Sequence, residues 1–195
     1  MNGTRVAATL ALVVTLVVAF LCEVVLGAAG SETGLLPLGA LRTRGWSASD
    51  SWRILTFSFL HLNAVHLLLN VAALYWIGRI VERRVGAAGL LAVFTGGALI
   101  SGIAGMLLGP FLPTTGVAVG ASGAVFGLLA AALVLVFLSD DARRERDRRL
   151  RPVLLACFVV AVLTSFLPGI SLAGHVGGLI GGALVVPLVV GKPSG

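Results

Sequence analysis

Apolar runs close to the length of a membrane-crossing helix, separated by short polar or glycine-proline breaks, repeat along the whole chain. They cover residues 6–26, 61–80, 87–108, 117–138, 153–167 and 173–190. A bilayer crossing needs roughly 20 mainly apolar residues in a helix, because hydrocarbon offers no water to unpaired backbone groups. The pattern predicts an all-α, polytopic membrane bundle of six transmembrane helices, folded as one domain over residues 1–195. The fifth run is short and meets Pro168-Gly169, where a helix must stop or continue irregularly. The link 27–56 carries Pro37, several glycines, Trp46 and Trp52. Tryptophan favours the headgroup region, so this loop is expected to lie partly in the interface. The first run is longer than the apolar part of a signal peptide, about 7 to 15 residues, and is read as a retained helix. The short tails are expected to carry no regulatory module.

Composition agrees with this reading. Hydrophobic residues make up 58% of the chain and charged ones 11%, with a mean hydropathy of +1.07. An ordinary soluble domain carries about a quarter charged residues, so a water-soluble globule is excluded. The net charge of +6 would suit nucleic acid. The bases, however, flank apolar runs, where lipid headgroups and topology rules account for them and no nucleic acid is needed. With six spans, both ends and the second and fourth loops share one side. That side holds Arg5, Arg79, Arg83, Arg84, Arg143, Arg144, Arg146, Arg148, Arg149, Arg151 and Lys192, eleven bases against Arg42, Arg44 and Arg53 on the other. The positive-inside rule then expects both termini in the cytoplasm and the 27–56 loop outside. The compact design suits a bacterial inner membrane. The charged segment 140–151 is expected to be a solvated cytoplasmic connector. Cys22 and Cys157 lie singly in apolar runs, which indicates neither a disulfide framework nor a metal site.

Polar residues inside spans are costly and are the first functional candidates. His61, His66, Asn70, Ser122 and His175 fall in the second, fourth and sixth runs, which all cross in the same direction. At a rise of about 1.5 Å per residue, their early positions reach a similar depth in the outer half of the bundle. His66 and Asn70 are four residues apart and share a helix face. Together they offer donors to one point, as an oxyanion site requires, although the pair taken alone fits a bridge between helices better. His61 is about half a turn off that face and is read as a structural hydrogen-bonding residue near the loop.

Ser122 lies between Gly120 and Gly123, which leave backbone N–H groups accessible. A GxSG string is common in membrane helices, so it identifies nothing by itself. In the sixth run, Gly174, Gly178 and Gly182 recur every four residues, as do Gly177 and Gly181. That face lets another helix approach closely, and packing against the fourth run would bring His175 to Ser122. A nucleophilic serine needs such a base. No carboxylate stands beside His175 in sequence, so a Ser-His dyad is the simpler inference. Glu23, Glu32 and Asp50 remain open as a third member.

The constellation resembles the rhomboid intramembrane proteases over about Trp52 to Gly182, within a motif-bearing core of about 52–191. The matching strings are Trp52-Arg53, HLNAVHLLLN ending at Asn70, Glu82-Arg83-Arg84-Val85-Gly86, GASGAVFG from Gly120 and GHVGGLIGG from Gly174 to Gly182. The resemblance implies a rhomboid-like fold and a serine endopeptidase that cleaves single-span membrane proteins in or beside the bilayer. It implies Ser122 as nucleophile, His175 as base, and His66, Asn70 and the Ser122 N–H as oxyanion donors. Trp52 and Arg53 would be structural parts of the first loop, and Glu82 and Gly86 would support the turn after the second span. Phe126 would pack on the catalytic histidine. No cofactor or metal is implied, and the partners implied are transmembrane-helix substrates and the lipid bilayer. Water would reach Ser122 beneath a lid formed by the loops 110–116 and 168–171.

Two alternatives belong to other classes. A noncatalytic rhomboid-like protein that binds membrane clients would be signalled by loss of the serine or the histidine, and both are present. A transporter would show related halves or interrupted spans, and no internal repeat is visible.

Overall fold

The structure is a computed structural model that describes residues 6–112, 116–138 and 141–190. In chain order its elements are α1 (Ala7–Val25), α2 (Glu32–Leu35), β1 (Leu41–Arg42), α3 (Arg53–Thr56), α4 (Ala64–Leu108), β2 (Val117–Ala118), α5 (Ser122–Phe137), α6 (Asp141–Thr164) and α7 (Leu172–Val189), with short 3-10 turns between them. The long α4 breaks at Gly86, whose φ of 75° and ψ of 177° are not helical. A side chain at that φ would be strained, so glycine permits the chain to leave one helix and enter the next. The break separates 64–85, which holds most of the second apolar run, from 87–108, the third. The molecule is thus an all-α helical bundle. Ala7–Val25, Ala64–Phe111 and Leu172–Val189 are long and apolar enough to cross a membrane, while the apolar Ser122–Phe137 is shorter. These helices make the chain an integral membrane protein.

Three boundaries differ from the sequence pattern, each for a local reason. The second helix begins at Ala64, not at His61, because Asn63 caps it, its side-chain oxygen accepting the His66 N–H at 2.9 Å. The fourth begins at Ser122, not at Val117. Val117 and Ala118 instead pair antiparallel with Arg42 and Leu41, and Gly120 turns the chain with a φ of 119°. The segment expected as a solvated connector continues as helix from Asp141. Asp147 in it is fully buried and ion-paired with Arg84. The Arg84 guanidinium also donates to the Leu135 carbonyl at 3.0 Å, and Arg151 donates to that of Val136 at 3.3 Å. Carbonyls in the last turn of a helix lack intrahelical donors, and these arginines supply them.

Glycine decides how the helices nest. A Cβ on Gly178 would overlap the Gly123 backbone, and one on Gly182 the Gly127 backbone, so α7 and α5 touch main chain to main chain. On the other glycine face, a Cβ on Gly177 would come within 2.7 Å of the Ile100 carbonyl, and one on Gly181 would overlap Gly96. α7 is therefore seated between α5 and the second half of α4.

α1 is attached differently. Glu82 was expected to support the turn after the second span. Its carboxylate accepts the Ala8 N–H at 2.9 Å, the Thr9 N–H at 2.8 Å and the Thr9 hydroxyl at 2.6 Å. It neutralises the unpaired donors at the start of α1. The loop 27–56 is tied down by Arg53, which donates to the Leu36 and Ala40 carbonyls and to Asp50. The Ser47 N–H, then Arg53, hold the Asp50 carboxyl below its ordinary range against the opposing effect of burial.

Candidate active site

Two helix starts and one first turn converge. On α7, the Ser171 hydroxyl accepts the Gly174 N–H at 3.1 Å and so sets the opening turn that carries His175. Before α5, the Gly120 N–H donates to the Phe57 carbonyl at 2.9 Å, which anchors the turn that delivers Ser122. Ser122 is the first residue of its helix, and the first ladder bond there runs from the Val125 N–H to the Ala121 carbonyl. The N–H groups of Ser122, Gly123 and Ala124 consequently have no acceptor within the helix.

The Ser122 hydroxyl lies 2.9 Å from His175 Nε2, within hydrogen-bond reach. His175 is 7% exposed, and the Phe126 ring stacks on it with centroids 4.0 Å apart at 16°. A stacked ring on one face and a bonded nitrogen at the edge leave the imidazole little freedom. The close approach depends on the glycines. Gly123 was read as leaving backbone donors accessible, yet it also stands against Ser101, whose hydroxyl a Cβ there would overlap.

His66 faces the same turn. A Cβ on Gly120 would fall 2.6 Å from His66 Nε2, so the ring lies against the residue two before Ser122. Asn70 is buried, and its side-chain amide donates to the His66 carbonyl at 2.9 Å. The described contacts link Asn70 to His66 and not directly to Ser122. His61 was expected as a structural hydrogen-bonding residue near the loop. Its ring is fully buried. The His61 main-chain N–H is bonded to the Glu23 carboxylate at 3.2 Å. The His61 ring meets His66 edge to face at 5.1 Å.

The acids left open in sequence are engaged elsewhere or distant. Glu23 serves His61, Asp50 pairs with Arg53 at 2.8 Å and with Arg42 at 3.7 Å, and Glu32 opens α2. The group beside His175 Nδ1 is Ser165, with its hydroxyl at 2.7 Å. Sequence reasoning missed it. The available signal was the polar pair Thr164-Ser165 inside an otherwise apolar fifth run. Trp52 is 48% exposed, with the Arg53 guanidinium 4.6 Å from its ring centroid. Of the loops expected to form a lid, residues 113–115 lie outside the described residues, and 168–171 form the turn into α7. Among the described residues no group of three His, Cys, Asp or Glu is placed to hold a metal ion. A cavity of about 390 Å³ lies at the far end of the bundle, lined by Trp76, Arg79, Ile80, Arg83, Arg84, Arg149 and Leu150.

A buried imidazole bonded to a hydroxyl on a helix start can accept that hydroxyl's proton, and backbone donors stand beside the oxygen. The chain is 31% identical over 182 residues to the Bacillus subtilis protein named Rhomboid protease GluP, covering 93% of this chain and 34% of that protein. It is 32% identical over 146 residues to the Arabidopsis thaliana RHOMBOID-like protein 4, covering 74% and 35% respectively. With the Toxoplasma gondii Rhomboid-like protease 2 it shares 34% identity over 133 residues, 68% of this chain and 46% of that one. The chain thus spans about a third of the length of the first two relatives and under half of the third. The model of the Rhomboid domain matches residues 48–192, most of the chain, and with these relatives it establishes that the chain belongs to the rhomboid family.

Proposed function

We propose that this rhomboid is an intramembrane serine endopeptidase, one domain that cuts single-span membrane proteins within or beside the bilayer. The supporting observation is the Ser122 hydroxyl 2.9 Å from His175 Nε2, in an imidazole clamped by Phe126. In this reading Ser122 Oγ attacks the scissile carbonyl carbon as its proton passes to His175 Nε2. The C–O bond forms, the carbonyl π electrons move to oxygen, and the Ser122 N–H with His66 and Asn70 stabilises that oxyanion. Collapse of the intermediate breaks the C–N bond, and the imidazolium gives its proton to the leaving amine. Water then attacks the acyl-serine with the same base, releasing the carboxylic acid and restoring Ser122. For Asn70 to reach the oxyanion, its amide must exchange its bond to the His66 carbonyl for one to substrate.

The substrate class follows from the location. A closed helix hides its carbonyls in internal hydrogen bonds, so a cleavable segment must be one that unwinds readily. The arginine-lined cavity at the far end of the bundle supports an orientation with that end in the cytoplasm, both termini included, and Ser122 in the opposite half. The membrane proposed is the bacterial inner membrane.

The test is cleavage of a single-span reporter by purified protein in lipid. Wild type should cleave, while Ser122→Ala and His175→Ala should not, with all three folded alike by thermal unfolding. Equal cleavage by the three would overturn the assignment. His66→Ala or Asn70→Ala should slow the reaction by about 10²- to 10³-fold if each supplies one oxyanion donor.

A further inference from the structure

We propose that Ser165 is a positioning residue that sets the tautomer of His175; the inference rests on the catalytic reading of Ser122 and His175. The Ser165 hydroxyl is 2.7 Å from His175 Nδ1 and also 2.7 Å from the Ala161 carbonyl oxygen. A carbonyl only accepts, and a serine hydroxyl has a single proton. The Ser165 O–H is therefore committed to Ala161, and the hydroxyl presents a lone pair to the imidazole. Nδ1 must carry the hydrogen that fills that bond, and Nε2, in the neutral ring, must be bare. Nε2 is the nitrogen 2.9 Å from Ser122, so the chain of bonds leaves the base in the form that can accept the serine proton.

The local structure favours this polarity. α6 ends at Thr164, so Ala161 is in its last turn, and its carbonyl accepts on its open side as well as along the helix. The Ser165 N–H at 3.2 Å and the Thr164 hydroxyl at 3.0 Å also donate to the same oxygen, which fixes it as a convergence point of donors. Ser165 is 3% exposed, so bulk water does not compete for its lone pair. The relay does what a carboxylate does in soluble serine hydrolases, holding the ring and its tautomer, without placing a charge among apolar helices. When the imidazolium forms, Nδ1–H keeps its acceptor, and the aligned dipoles of the Ser165 hydroxyl and the Ala161 carbonyl face the new charge.

The experiment pairs kinetics with ¹⁵N NMR of histidine-labelled full-length protein in lipid or detergent. In wild type the neutral His175 ring should show Nδ1 protonated and Nε2 bare; the opposite tautomer would overturn the proposal without any variant being made. Ser165→Ala should lower kcat on the single-span reporter by about 10- to 100-fold with KM nearly unchanged, the loss of one buried hydrogen bond to a group that becomes charged. Its His175 should populate both tautomers. Ser165→Thr, which retains the hydroxyl, should recover most of kcat. Wild-type kcat in Ser165→Ala would overturn the role of Ser165 while leaving the dyad intact, provided Ser122→Ala is inactive. Full activity in Ser122→Ala would instead remove the catalytic reading and this inference with it.

Discussion

α1 and α7 are nearly equal in length, 19 and 18 residues, and both are mainly apolar, yet they hold opposite places in the bundle. The buried share is 22% along α1 and 44% along α7, although α1 is the more hydrophobic of the two. α7 has Gly174, Gly177, Gly178, Gly181 and Gly182, and α1 has no glycine. Apolarity sends a segment into the membrane, where lipid solvates it as well as protein does. Close backbone approach selects which segment goes to the centre. α7 is held along its length by main-chain contact with Gly123, Gly127 and Gly96. α1 is held near its ends by two acids, Glu82 at its start and its own Glu23, which reaches the His61 N–H. His175, the proposed base, sits on the helix whose position is sterically determined, and the peripheral helix carries none of the proposed chemistry.

Substitutions along these two helices can break or sharpen that contrast. The largest effect is expected from Gly178→Val, whose side chain would occupy the Gly123 backbone; overpacking there should destabilise by about 3 kcal/mol. Thermal unfolding in detergent reads this directly, and a wild-type midpoint would show that the glycine face does not seat α7. Next comes Glu82→Ala, which strands the Ala8 and Thr9 donors and should cost about 2 kcal/mol. Its signature is faster hydrogen exchange at Ala8 and Thr9 with little change near Ser122, and uniform exchange would contradict a local anchor. Phe126→Leu keeps apolar volume but removes the ring stacked on His175, so reporter cleavage should fall up to about tenfold while stability changes little. The smallest effect belongs to Val14→Ala on α1, where the side chain is 59% exposed within the bundle; stability should stay within about 0.5 kcal/mol of wild type. A larger loss would mean that α1 packs on something beyond the contacts described.

Much of the fold was legible before any coordinates. Spacing and hydropathy alone placed the apolar helices and gave an all-α membrane bundle, because in hydrocarbon a run of that length has no other way to satisfy its backbone. The four-residue glycine repeat announced which helix would be packed most closely. Helix direction put Ser122, His66, Asn70 and His175 at one depth, and the structure brings Ser122 within 2.9 Å of His175. What the chain could not disclose locally is how each helix is rotated and which distant residue meets it. Glu82 reaches Thr9, Arg84 reaches Asp147 and Ser165 reaches His175 across 73, 63 and 10 residues. The charged 140–151 segment looked solvated because composition reports polarity but not partners, whereas the buried Asp147 is bound to an arginine from another helix. Sequence by itself determined that these segments enter a membrane and which polar residues enter with them, since that depends on local transfer free energy. Tertiary structure alone decided which nitrogen of His175 faces Ser122 and which faces Ser165, since that depends on three helix ends fixed against one another by packing.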